Sequence, residues 1–347
     1  MLASIDTAAP LRQALAGAMA GRPDDASARG SLLRALASDG LASLPLPGAG
    51  ATLARWQALA AVAGRDLSLV KLYEGHADAA AILAEAGAGA DRRDVTWGMW
   101  AAEAPGARVV FERGAGDACV LSGTKAWCSG ARHLDAALLT VWHADGTGPF
   151  LARAPLAQRG VSFDDSNWQA AGMRASGSID VRFDRVPARL VGGERFYLDR
   201  PGFWQGGIGI AACWHGGAVA LGDALRRQVV AAGDKAGWHR LMALGAVDHV
   251  LSANAALLRE AARWVDANPR ADAQAWALRT RAAADAACDT VLRHATRALG
   301  ATPLCRDPHF ARLAADLPVF VRQCHGDRDL AALGERLASE GATEWLL

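Results

Sequence analysis

The chain has 347 residues, 52% of them hydrophobic and 21% charged, enough for two or three packed units around a sizeable core. Its formal net charge is +1 and no basic block stands out, which argues against nucleic acid or an anionic membrane as the main partner. Up to about residue 90 the chain predicts helices. "ATLARWQALAAVAGRD" and "SLVKLYEGHADAAAILAEAGAGA" carry apolar residues at three- and four-residue spacing, and glycine-rich ends supply the stops.

Near Trp97 the texture changes to short strands and turns. "ARVVFERGAGDACVLSGTKAW" predicts a hairpin about Gly-Ala-Gly-Asp, and "DAALLTVWHADGTGPFLARAPL" a second about Asp-Gly-Thr-Gly. "SIDVRFDRVPARLVGG" alternates Ile179, Val181 and Phe183 with Asp180, Arg182 and Asp184, a half-buried strand expected to close at Pro187. From Phe203 long helical patterns return, joined by short breaks of the kind that link antiparallel bundle neighbours. The fold class expected is α+β, mostly α. A helical domain is expected over 1–95, a barrel-like or sandwich β domain over 96–195 and a four-helix bundle over 196–347.

Six cysteines, at 119, 128, 213, 288, 305 and 324, form no C-x-x-C pair. A disulfide framework or a zinc site is not expected, and a reducing cytoplasm fits. The N-terminal stretch lacks the basic region and clean apolar run of a signal peptide. The longest apolar stretch, Ile208 to Leu225, contains His215 and Asp223 and reads as a core helix, not a membrane span.

Three stretches carry a resemblance. "LSGTKAWCSGA" follows the pattern G-x-K-x-W-x-[ST]-x-[GA]. "AAGMRASGSIDVRFDRVPARLVG" follows G-[MLI]-R-x-[ST]-x-[ST] into a strand with Val-Pro. A small-residue helix over 206–225 then opens the last domain. Together, and in this order, they resemble the acyl-CoA dehydrogenase family from about residue 50 onward. The resemblance implies FAD held between the domains, with Trp127 against the isoalloxazine ring and Ser129 bonding its reactive edge. An indole offers a rigid face for a flat ring, and a hydroxyl can donate to a ring nitrogen. Gly130 would let the backbone approach the ligand. "WGMWAAEAPGA" stands where the family has T-E-P-x-x-G-S-D, so Ala102 and Glu103 fall at flavin-contacting positions. Read from its residues alone, the same loop is equally a β-domain edge.

The pattern also fails in places. The family's E-G-T, which carries the carboxylate base, is replaced by His325-Gly326-Asp327, and no carboxylate stands near Gly206 and Gly207, where some members keep it instead. His325 is the candidate base, with Asp327 or Asp329 to orient it; the two aspartates serve equally as first-turn acids of a helix. The family's R-x-x-F-G gives way to "GWHRLMALG", and its Q-x-x-G-G-x-G to "RALGATPL", so the two motifs that supply phosphate and adenine contacts to FAD in the family are replaced here.

The function expected is α,β-dehydrogenation of an acyl thioester, on coenzyme A or a carrier protein, with hydride passing to flavin. An electron-accepting flavoprotein or a reductase would be the redox partner, and the chain a homodimer or homotetramer. Two alternatives stand beside it: a flavin-dependent monooxygenase of the same fold, whose members tend to have a histidine in this region, and a non-catalytic relative.

Overall fold

A computed structural model describes residues 8–19, 23–89 and 95–340. The chain forms two compact units. Among the described residues, one takes Pro47–Leu67 and 204–340; the other takes Ala9–Leu46 and Ser68–Phe203. In chain order the described elements are helices, then a sheet, then helices. The early helices are divided between the two units.

Four helices come first: α1 (Ala9–Ala18), α2 (Ala26–Ser38), α3 (Thr52–Arg65) and α4 (Leu67–Glu85). Helix α2 starts where the Asp25 carboxylate accepts the Ala28 N–H at 2.8 Å, an N-cap that satisfies one of the first orphan amides. Its buried face is Leu32, Leu33 and Leu36. Helix α4 is apolar nearly all round, as a helix covered on several sides must be. Ala79, Ile82 and Leu83 pack on Leu138, Leu151 and Val191 of the sheet.

The sheet holds β1 (Trp97–Trp100), β2 (Val109–Arg113), β3 (Ala118–Cys128), β4 (Ala136–His143), β5 (Phe150–Pro155), β6 (Val161–Asp164) and β7 (Ile179–Val191). Both expected hairpins form, β2 with β3 and β4 with β5. Strand β3 pairs β7, β7 pairs β5, and β2 runs parallel to the end of β4. The path β4-β2-β3-β7-β5 therefore returns to β4, and the sheet closes into a small barrel. Strand β1 adds to β4 in parallel, and β6 adds to β7.

Strand β7 does not close at Pro187; it continues to Val191. Pro187 pairs with Val120 of β3 on one side. On the other side β6 covers only Asp180–Phe183 and β5 only Arg189–Val191. The proline sits at the gap between them, where a missing N–H costs no ladder bond.

After β7 come a single turn, α5 (Phe196–Asp199), and then α6 (Gly202–Ala232), α7 (Trp238–Ala267), α8 (Gln274–Leu299), α9 (Ala301–Arg306), α10 (Pro308–Phe320) and α11 (Asp327–Glu340). Helix α3 belongs with this bundle. A Cβ on Gly216 of α6 would lie 2.2 Å from the Ala60 carbonyl oxygen, so the two backbones touch there. Asp266 at the end of α7 accepts the Thr52 hydroxyl at 2.6 Å and the Gly50 N–H at 3.0 Å, capping α3 from outside it. Asp307 caps α10 by accepting the N–H groups of His309 and Phe310, with Pro308 at the first helical position. Helices α6 and α7 are both long and apolar enough to cross a membrane, but 72% of the apolar window of α6 is buried inside the protein. The corresponding window of α7 is 22% buried, and Trp238, Leu241 and Met242 at its start are exposed.

Candidate active site

Trp127 is held in a strained and exposed place by the register of β3. Between Lys125, paired with Val181, and Cys128, paired with Ile179, Ala126 and Trp127 face a single residue of β7, Asp180. This is a β-bulge. Along β3 the interior face is carried by Cys119, Leu121 and Lys125, so simple alternation would bury Trp127. The extra residue reverses the parity. Cys128 goes into the barrel fully buried, and the indole turns outward at 53% exposure. Trp127 takes φ +58°, a left-handed conformation that costs a non-glycine residue about 1–3 kcal/mol. Asp180 secures it: its carboxylate accepts the Trp127 N–H at 3.3 Å and is itself bonded by the Asn167 amide at 2.8 Å.

Ser129 and Gly130 form the turn that follows. The Ser129 hydroxyl lies 2.7 Å from the Ser178 hydroxyl, which lies 2.8 Å from that of Ser176. The Ser129 carbonyl accepts the Trp100 indole N–H. Gly130 has φ +72°, and its N–H reaches the Ser176 carbonyl at 2.8 Å. A Cβ there would meet Leu72 at 3.0 Å and Leu134 at 3.1 Å. Glycine is thus required here by turn geometry and by packing within the unit.

In the loop after β1, Ala102 is half-buried and offers only backbone groups. Glu103 has a different occupation. The Lys125 ammonium, with no exposed surface, lies 2.7 Å from Glu103 Oε1 and 2.7 Å from the Thr140 hydroxyl. The Thr140 hydroxyl and the Trp142 indole N–H also donate to Glu103. Burial lowers the Lys125 pKa, and the hydrogen bond and charge of Glu103 oppose that shift. The carboxylate of Glu103 is the counter-ion of a buried lysine. Nothing local in the sequence marks this pair, because its members lie on separate strands and loops.

In the bundle unit, His325 precedes α11 and is exposed, with Nδ1 3.2 Å from Asp329 Oδ1. The other Asp329 oxygen accepts the His325 N–H at 3.1 Å and lies 3.9 Å from Arg281 Nε. Asp327 stands exposed in the first turn of α11, with no side-chain bond to His325. So it is Asp329 that engages the imidazole. Arg281 stacks 4.9 Å from the Trp214 ring centre and donates to the Gln323 and Gly207 carbonyls. Burial is the largest influence on its guanidinium and lowers its pKa.

Two further histidines are buried. His76 accepts the Trp97 N–H at 3.2 Å, and burial drives its pKa down to about 4. His215 pairs with the Asn254 amide at 3.1 Å, and burial likewise lowers its pKa to about 4. Glu74, two residues before His76, is ion-paired with Lys71. All six cysteines are free thiols. No cluster of three or more metal-ligating side chains occurs among the described residues.

No protein-family model matches the chain, and no curated protein matches it by sequence. Solved structures do. KijD3, solved with FMN and dTDP-3-amino-2,3,6-trideoxy-4-keto-3-methyl-D-glucose, aligns over 98% of this chain and 94% of its own, at 18% identity and TM-score 0.80. Nitrososynthase from Micromonospora carbonacea var. africana aligns over 97% of this chain and 96% of its own, at 18% identity and TM-score 0.77. Butyryl-CoA dehydrogenase from Megasphaera elsdenii aligns over 96% and 99%, at 14% identity and TM-score 0.78. The chain has the acyl-CoA dehydrogenase fold over essentially its whole length.

Proposed function

We propose that the chain is a flavin-dependent oxidoreductase. The observation that carries this reading is Trp127: a bulge, a left-handed backbone and a dedicated carboxylate hold a large indole out of the core. Strain of this kind persists where a function needs it, and a flat ring cofactor is a fitting occupant for an exposed indole face. Trp127 would stack on the ring and Ser129 would meet its reactive edge, with Ala102 contributing backbone groups. Glu103 would act indirectly, by fixing Lys125 and the strand on which Trp127 sits. FAD is the form first expected. The loss of R-x-x-F-G and the FMN carried by KijD3 make the shorter flavin the alternative.

Of the two chemistries, the bundle residues favour monooxygenation. The segment expected to hold a carboxylate base holds His325. With Nδ1–H donated to Asp329, its Nε2 lone pair is left to take a substrate proton. An imidazole is well matched to the O–H of a phenol or the N–H of an ammonium group, each of which ionises near pKa ~10. A bound reduced flavin would supply two electrons, so that one atom of molecular oxygen enters the substrate and the other leaves as water. A reductase would be the partner. The second reading, α,β-dehydrogenation of an acyl thioester on coenzyme A or a carrier protein, is favoured by the likeness to butyryl-CoA dehydrogenase. We also propose a homodimer or homotetramer, because Trp238, Leu241 and Met242 lie exposed together at the start of α7.

The test is a spectrum of the purified protein with FAD or FMN, followed by two challenges. Under anaerobic conditions, thioesters are added to the oxidised form. The chemically reduced form is then mixed with oxygen and a panel of phenols and amines. Hydroxylated product supports the monooxygenase, and bleaching by a thioester replaces it with the dehydrogenase. Absence of flavin binding refutes the reading altogether and leaves the non-catalytic relative. Light scattering that finds a monomer removes the oligomer.

A further inference from the structure

Behind Ser129 lies a chain of buried hydroxyls that the proposed chemistry does not by itself require. Ser176, Ser178 and Ser129 are 0%, 6% and 8% exposed. The Ser176 hydroxyl lies 2.7 Å from the Met173 carbonyl oxygen. A carbonyl only accepts, so Ser176 spends its one proton there. The 2.8 Å bond between Ser176 and Ser178 must then be donated by Ser178. By the same count the 2.7 Å bond between Ser178 and Ser129 must be donated by Ser129. Fixing one end fixes the direction of the whole row. Ser129 is left with lone pairs and no free proton.

The anchor is held firmly. Met173 has φ +58°, and its carbonyl also accepts the Ser176 backbone N–H at 3.1 Å. The Gly130 N–H bonds the Ser176 carbonyl at 2.8 Å, which ties the Ser129 turn to the same place.

We infer that Ser176 and Ser178 form a one-way hydroxyl relay that presents Ser129 to the flavin as a hydrogen-bond acceptor, and so favours the reduced cofactor. This rests on the flavin reading above. The reactive nitrogen of an oxidised flavin is a bare acceptor. Once the ring has taken up a hydride, that nitrogen carries an N–H and becomes a donor. A serine that can only accept pairs with the second state and not the first. To serve the oxidised ring Ser129 would have to turn its proton away from Ser178, and the buried Ser178 oxygen would lose the hydrogen bond that it accepts. Ser178 and Ser176 are therefore positioning residues that raise the midpoint potential of the bound flavin.

The experiment is a spectroelectrochemical titration of the flavin-loaded protein under anaerobic conditions. Wild type is compared with Ser178→Ala, Ser178→Thr and Ser176→Ala. Ser178→Ala leaves Ser129 free to donate to the oxidised ring. At a fixed potential it should raise the ratio of oxidised to reduced flavin about tenfold, which is a fall of about 30 mV for a two-electron couple. Ser178→Thr keeps the hydroxyl and should keep the wild-type midpoint. Ser176→Ala unpins the far end and should also lower the midpoint, so the inference stays testable if Ser178→Ala does not fold. Flavin bound normally with an unchanged or raised midpoint in the alanine variants overturns the relay and leaves the flavin reading intact. A folded wild type that binds no flavin overturns both.

Discussion

Replacing Glu103 with alanine separates a cofactor contact from a structural counter-ion. Lys125 has no exposed surface, and its ammonium is held at 2.7 Å by Glu103 and at 2.7 Å by Thr140. Removing the carboxylate leaves a buried cation with a hydroxyl in place of its charge partner. Stripping one member from a buried ion pair costs about 3–5 kcal/mol. Glu103 is itself 38% exposed, so water can enter in its place, and the lower end, about 3 kcal/mol, is expected. Lys125→Met alone leaves a carboxylate that can hydrate and should cost about 1 kcal/mol. The double variant Glu103→Ala/Lys125→Met removes both charges and should lie within about 1 kcal/mol of wild type, a coupling of about 3 kcal/mol. Urea titrations of the four proteins, with flavin affinity measured in parallel, give the cycle. The reasoning fails if Glu103→Ala stays within about 0.5 kcal/mol of wild type, or if the pair shows no coupling while flavin binding collapses.

Trp127→Gly should weaken flavin binding at least tenfold and yet raise stability by about 1 kcal/mol, because glycine adopts φ +58° without strain; a less stable variant would show that the bulge stores none. Burial keeps the folded pKa of His76 near 4, below its unfolded value of about 6.5. The unfolded chain therefore gains the proton first as pH falls. Stability should drop from pH 6.5 toward pH 4 by about 3 kcal/mol on account of this group, and His76→Gln should flatten that slope in urea titrations. Asp329→Asn should cut turnover at least tenfold while Asp327→Asn stays within about twofold, since the 3.2 Å contact to His325 belongs to Asp329; equal effects would remove the pairing from the mechanism. Gly216→Ala places a methyl 2.2 Å from the Ala60 oxygen and should cost about 3 kcal/mol by thermal or urea unfolding.

Local chemistry was legible where turns and periods decide structure. The glycine-rich turns between β2 and β3 and between β4 and β5 announced both hairpins, and the apolar spacing of α3 and α4 announced helices. What one stretch of letters does not encode is the partner across space. Pro187 reads as a strand stop because its missing N–H is visible, whereas the gap between β5 and β6 that tolerates it is not. Trp127 has the parity of an interior residue, and the bulge that turns it out depends on β7 offering one residue against two. Lys125 looks like a polar strand residue until Glu103 and Thr140 converge on it from 22 and 15 positions away. The serine relay left a trace in "ASGSID", where two hydroxyls flank a glycine, but only the turn through Met173 aligns them. The engagement of Asp329 rather than Asp327 follows from helical geometry, since a side chain four residues on reaches back to the residue before the helix.

The division of the early helices bears on how the protein is made. Helix α3 ends at Arg65, but the helices it packs with begin only at α6, which starts at Gly202. During synthesis at roughly 5–20 residues per second, α3 spends about ten seconds outside the ribosome before its neighbours exist. In that interval Trp56, Leu59 and Val62, all buried in the finished protein, have nothing of their own unit to cover them. The barrel, which lies wholly between these two points of the chain, can close in the meantime. A nascent chain stalled once β7 has cleared the ribosome would therefore carry a finished barrel and one unsatisfied amphipathic helix, the segment a ribosome-associated chaperone would hold.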